Sequence, residues 1–196
     1  MATAHPLPQP LPVLSRRLRL RRIEVADAAY VLALRSDPDR TQHLSAVAPD
    51  LAAQECWIRA YQAREAAGQE AYLIAMDPVG RALGTVRLYD YRGPSFCWGS
   101  WILQPEAPTW AGIETALSIY GLGFDCLGFT RSHFSVRRNN HKVIRFHQRF
   151  GARCVGEDAD ELHFEIRTED VAQARQRYVR YLPPVAAASV VAVSSA

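Results

Sequence analysis

Residues 136–152 constrain the fold of this chain more than any other stretch. The aromatic-rich run 130–136 gives way to Arg137-Arg138 and then Asn139-Asn140. β-Branched and aromatic residues suit a strand, and asparagine suits the residue that opens a helix. Val143, Ile144, Phe146 and Phe150 then fall on one side of a 3.6-residue period, which predicts a short amphipathic helix over 140–150. Gly151 supplies the stop, and an extended run begins at Ala152. The pattern is strand, asparagine, short helix, glycine, strand.

The remaining elements agree with that segment. Residues 18–23 alternate apolar and charged side chains, as a half-buried strand does. Helices are expected over 27–35 and, between Pro49-Asp50 and Gly68, over 50–67, with Leu51, Trp57, Ile58 and Tyr61 inward. Strands are expected at 71–76, 82–91 and 96–103, separated by turns at Asp77-Pro78-Val79-Gly80 and Gly93-Pro94. A loop at 105–108 leads to a helix over 109–127, where Gly121 and Gly123 call for close packing. Further strands are expected at 130–136, 152–156 and 162–166, and a last helix runs from Thr168 to Tyr181. The order predicts an α/β (α+β) domain over 16–182, with a mixed central sheet of about seven strands flanked by helices. The proline-rich residues 1–15 are expected to form a disordered tail. Residues 183–196 are expected to form a second one. Within it, the apolar run 185–193 offers the alternative of strand pairing in a homodimer.

Composition narrows the function classes. A formal net charge of +3 and a sequence pI near 8.8 favour a phosphate-bearing ligand without indicating nucleic acid. Cys56, Cys97, Cys126 and Cys154 are widely spaced with no C-x-x-C pair, so neither metal nor redox spacing is present. They are expected as buried free thiols in a reducing cytoplasmic setting. No apolar run approaches the ~20 residues that a membrane span needs, and no secretory leader pattern opens the chain.

The 136–152 motif resembles the C-terminal half of the acetyl-CoA-binding core of the GNAT superfamily of acetyltransferases. The element order resembles that fold over 18–166. The resemblance implies that strands 96–103 and 130–136 lie parallel and splay apart. Backbone groups at Trp101, Ile102 and Leu103 would then meet the amide chain of pantetheine. It also implies a diphosphate-binding loop and helix start at Thr109, Trp110, Ala111, Gly112 and Ile113, with Gly112 on the family's first glycine position. Thr109 replaces the usual Gln or Arg. Glu114 occupies the second small position, where a carboxylate would repel a diphosphate unless it points away.

Asn140 matches the family asparagine that touches the pantetheine arm, and it also suits an N-cap. Phe146 stands beside it in the cofactor region. His147 replaces the tyrosine that serves as general acid in many relatives; an unperturbed imidazole, with a pKa near ~6.5, could donate a proton or a hydrogen bond. Arg40, His43, Tyr89 and Tyr91 are candidate acceptor-binding residues. His43, His133, Asp90 and Tyr91 are candidates for the base. Trp98 and Trp101, three apart on a strand, are expected on opposite faces.

The 143–152 phrase, together with 84–90 and 97–102, is similar to GNAT proteins of surface-polysaccharide and flagellin-glycan loci. That likeness implies transfer from acetyl-CoA, without a metal, to the amino group of a nucleotide-linked amino sugar. Arg87, Arg92, Arg137 and Arg138 would be available to its diphosphate. The alternatives are a protein N-terminal acetyltransferase of the ribosomal-protein alanine type and a non-catalytic acyl-CoA-binding or regulatory module of the same fold.

Overall fold

The computed structural model describes residues 4–36 and 49–184. Arg40, His43 and the apolar stretch 185–193 lie outside the described residues.

Seven strands form one sheet: β1 (Arg19–Arg22), β2 (Ala71–Met76), β3 (Ala82–Arg92), β4 (Ser95–Leu103), β5 (Arg131–Arg137), β6 (Arg153–Glu157) and β7 (Glu161–Arg167). Their order is β1-β2-β3-β4-β5-β7-β6. Every neighbouring pair is antiparallel except β4 and β5. A parallel pair needs a crossover, supplied here by α3 (Ala111–Tyr120) and the π-helical run Gly121–Cys126. The expected single helix over 109–127 therefore changes pitch at Gly121. A Cβ on Gly123 would lie 2.3 Å from the Phe96 ring, so the helix approaches β4 only because that position has no side chain.

One face of the sheet is covered at the β1–β3 end by α1 (Ala28–Arg35) and α2 (Leu51–Ala66). Asp50 caps α2 by accepting from the Ala53 amide at 3.1 Å. Gln54, Ile58 and Tyr61 carry the inward i, i+4, i+7 stripe of α2. Leu51, at the first position of α2, and Trp57, beside the stripe, are exposed rather than inward as expected. The opposite face holds the larger core, closed by α3, α4 (His141–Arg149) and α5 (Thr168–Arg177).

The expectation of a free tail over residues 1–15 is corrected for its described part. The His5 amide donates to the Gly68 carbonyl at 2.9 Å, and the His5 ring lies 4.2 Å from that of Phe129. Leu7 and Ser15 are buried, and the Ser118 hydroxyl donates to that of Ser15 at 3.1 Å. The segment is too poor in apolar residues to fold alone, but the domain supplies the surface it covers.

Candidate active site

The ladder between β4 and β5 contains only Ser95↔Arg131 and Phe96↔Ser132. Beyond those pairs the strands diverge, opening the edge of β4 toward β5 from Cys97 onward. A bulge re-aims the same stretch of β4. Between Arg87↔Gly99 and Thr85↔Ile102, two steps on β3 match three on β4, and Ser100 takes φ 46. The extra residue breaks the alternation of side chains. Trp98 and Trp101, expected on opposite faces, therefore meet with ring centroids 5.3 Å apart. Trp101 lines the opened cleft together with Asn140, Val143 and His147.

The next turn of chain leads to the start of α3. The Ala111 amide donates to the Pro108 carbonyl at 2.8 Å, so it is already engaged. Gly112 and Ile113, in the first turn of α3, have amides with no intrahelical acceptor, and no side chain caps the helix. A Cβ on Gly112 would stand 3.6 Å from Trp101 and 3.9 Å from Leu103, which places this helix start at the mouth of the same cleft. Thr109 is exposed, and Trp110 lies under the Arg17 guanidinium at 4.6 Å. Glu114 points away from the helix start. Its carboxylate, wholly buried, accepts from the amides of Arg17 (2.6 Å) and Leu18 (2.9 Å) and pairs with the Arg17 guanidinium at 2.7 Å. The repulsion expected from its sequence position is thereby removed.

Asn140 is the N-cap of α4, its side-chain oxygen accepting from the Val143 amide at 3.3 Å. His147 follows two turns later with 5% exposure. Its ring lies 4.2 Å from that of Phe134 and 5.2 Å from that of Trp98, and its Nδ1 has no hydrogen-bond partner among the described residues. Burial pushes the imidazole down to about 3. The ring is therefore neutral at physiological pH. In that form it carries one N–H, which can donate a single hydrogen bond. Phe146 packs on Trp101, with ring centroids 5.0 Å apart. Ile102 is buried, and its carbonyl lies against Gly84 of β3.

A second cleft, of about 480 Å³, opens on the face covered by α1 and α2, lined by Arg35, Gln54, Trp57, Arg87, Tyr89 and Ser100. The Arg87 guanidinium lies 4.9 Å from the Tyr89 ring and 5.3 Å from the Trp57 ring. Buried Glu70 pairs with both Arg87 and Arg64 and fixes that guanidinium in place. Tyr91 does not share this cleft. Asp90 takes φ 52 between the two tyrosines, and Tyr91 packs against Phe129 at 4.8 Å and His5 at 5.7 Å. A third cleft runs past Asp90, His133 and His163, and Ser100 lines all three.

Residues 17–153 match the acetyltransferase (GNAT) domain family. The chain belongs to the GNAT acetyltransferases. It is similar to the solved structure of apo FdhC, described as a nucleotide-linked sugar GNAT, at 36% identity and a TM-score of 0.80. That match covers 87% of this chain and 97% of that one. The GNAT fold alone is shared with Mycobacterium smegmatis RimJ in complex with CoA-disulfide (15% identity, TM-score 0.68, 87% and 95% covered). It is also shared with Vibrio cholerae spermidine N-acetyltransferase in complex with CoA and spermine (18%, TM-score 0.65, 79% and 98% covered). No curated protein sequence matches the chain. This GNAT enzyme takes its acetyl group from acetyl-CoA. Among its described residues no cluster of His, Cys, Asp or Glu is placed to hold a metal, and no helix is long and apolar enough to cross a membrane.

In this GNAT domain the structure gathers Trp101, Asn140 and His147 around one cleft, with Phe146 against Trp101, Gly112 close to Trp101 and Leu103, and Tyr89 beside the second. The Ala111 amide is engaged by Pro108, and Tyr91 lines neither cleft. Sequence reading missed Arg35, Gln54, Trp57 and Ser100. A residue-by-residue periodicity cannot place a bulge, and α1 and α2 meet β4 only in three dimensions. Of the four cysteines expected to be buried, only Cys97 is; burial raises its thiol to about 11, while Cys56, Cys126 and Cys154 are exposed.

Proposed function

We propose that this enzyme acetylates the amino group of a nucleotide-linked amino sugar. The observation that carries the reading is the 36% identity to a nucleotide-linked sugar GNAT over 97% of its length; the RimJ and spermidine enzymes share only 15% and 18%. The second cleft supports it chemically. Arg35 and Arg87 offer charge to a diphosphate, and the Trp57 and Tyr89 rings offer apolar faces to a sugar or base.

In this reading the opened edge of β4 near Trp101 and Ile102 receives the pantetheine amides as an added strand would. The Gly112 and Ile113 amides receive the diphosphate at the start of α3. Acetyl-CoA supplies the activated acetyl group as a thioester. Backbone amides beside the Ser100 bulge meet the developing oxyanion. The neutral His147 ring donates a hydrogen bond to the departing sulfur, and the aromatic wall around it excludes water.

A thiol-release assay over UDP- and dTDP-linked amino sugars, N-terminal peptides and spermidine tests the acceptor. Turnover confined to sugar nucleotides is expected. Preference for a peptide beginning with alanine or serine would overturn the reading in favour of the N-terminal acetyltransferases.

A further inference from the structure

Acetyl transfer to an ammonium at neutral pH needs a proton acceptor. The titratable groups around the three clefts are nearly all committed elsewhere. The His133 Nδ1 lies 2.7 Å from the Ser95 hydroxyl, and its Nε2 lies 3.2 Å from Asp90. The His163 Nδ1 lies 2.8 Å from the Ser135 hydroxyl, and its Nε2 lies 3.1 Å from Asp158. Each imidazole thus has both nitrogens engaged. Asp90 also pairs with Arg92 at 2.6 Å. Its burial is outweighed by Arg92 and His133, which hold it below the usual carboxylate range. Asp50 caps α2, and Glu70 is buried between two arginines. His147 is too weak a base, because burial has pushed it down to about 3.

Glu161 differs from all of these. It opens β7 opposite Arg137 of β5, where β4 and β5 have already parted. Strand alternation puts it on the face of His163 and Glu165, away from Leu162 and Phe164. It lines both the cofactor cleft and the adjoining cleft, in each case together with Ser100 and Ser135. Its carboxylate has no hydrogen bond or ion pair among the described residues. The charged groups around it are Arg137 on β5, His163 and Glu165 on β7, Glu157 on β6, and Asp158 and Arg138 at the flanking turns.

We propose that Glu161 is the catalytic base that takes the proton from the acceptor ammonium. The ammonium gives one proton to the Glu161 carboxylate. The freed lone pair attacks the thioester carbonyl carbon and forms the C–N bond, while the carbonyl π pair moves to oxygen. That pair returns as the C–S bond breaks. The second nitrogen proton passes to the thiolate, leaving amide and thiol, and Glu161 returns its proton to solvent.

The inference rests on the acetyltransferase reading, not on the identity of the acceptor. The test is Glu161→Gln in the full chain, with kcat/KM measured from pH 6 to 9 on whichever panel amine the wild type accepts, and acetyl-CoA binding followed by calorimetry. Position-specific acid–base catalysis is worth roughly 100-fold or more, so a loss of about 100-fold at pH 7 is expected, with acetyl-CoA affinity unchanged. The deficit shrinks as pH rises toward the pKa of the amine, because solution then supplies the free base. Glu161→Asp should recover part of the rate. A Glu161→Gln enzyme within fivefold of wild type at pH 7, or a deficit equal at every pH, overturns the assignment. A wild type that binds acetyl-CoA yet acetylates no panel amine overturns the reading beneath it, and the base assignment with it.

Discussion

Replacing Glu114 by alanine tests whether the departure from the family loop is a structural anchor. The buried carboxylate serves two backbone amides, Arg17 at 2.6 Å and Leu18 at 2.9 Å, and the Arg17 guanidinium at 2.7 Å. The guanidinium is 37% exposed and can return to water, so its share of the loss is small. The two amides carry the cost. Hydrogen bonds to a charged acceptor are worth about 1.5–3 kcal/mol, and a buried donor left unsatisfied costs about 1–3 kcal/mol. Glu114→Ala is therefore expected to destabilise the domain by about 3 kcal/mol. For a chain of this size that lowers the Tm by roughly 6–12 °C. Urea unfolding followed by circular dichroism measures it, with Glu114→Gln losing less because its amide oxygen still accepts. Calorimetry adds an independent reading. If the carboxylate faced the diphosphate, its removal would tighten acetyl-CoA binding; the structure instead requires equal or weaker binding. A loss below about 1 kcal/mol, or tighter acetyl-CoA binding in Glu114→Ala, refutes the argument.

Gly123→Ala should cost about 1–3 kcal/mol in the same unfolding assay, since the new methyl meets the Phe96 ring at 2.3 Å. Stability should fall as pH drops from about 6.5 toward 3, because the unfolded chain takes up a proton that buried His147 refuses; it is fully present above that window. His147→Phe should flatten this acid limb and lower kcat with little change in acetyl-CoA affinity. An unaltered limb would mean that the ring is not buried as described. Asn140→Ala should lose about 1 kcal/mol of stability through the lost N-cap at Val143, measured by thermal melting.

Periodicity located almost every element because each strand and helix buries one face, and burial writes a period into the sequence. The Asn140 cap, the Gly151 stop with φ 100 and the packing at Gly123 were legible for the same reason, each being a local demand on a single residue. The expected placement of Trp101 failed because one inserted residue at Ser100 reverses every side chain beyond it. The expected threat from Glu114 failed because its partners lie 97 and 96 positions away in sequence. Glu161 carried no local signal at all. Its standing comes from partners that other acids possess and it lacks.

The two-pair ladder joining β4 to β5 has a mechanical consequence. Strands β1–β4 and strands β5–β7 are each well hydrogen-bonded internally, but the sheet is nearly divided between them. A co-substrate lying along the gap would take up the bonding that the ladder omits. Saturating acetyl-CoA should then slow amide exchange on both sides of the seam, in β4 and in β5 together, and the unliganded chain should unfold there first.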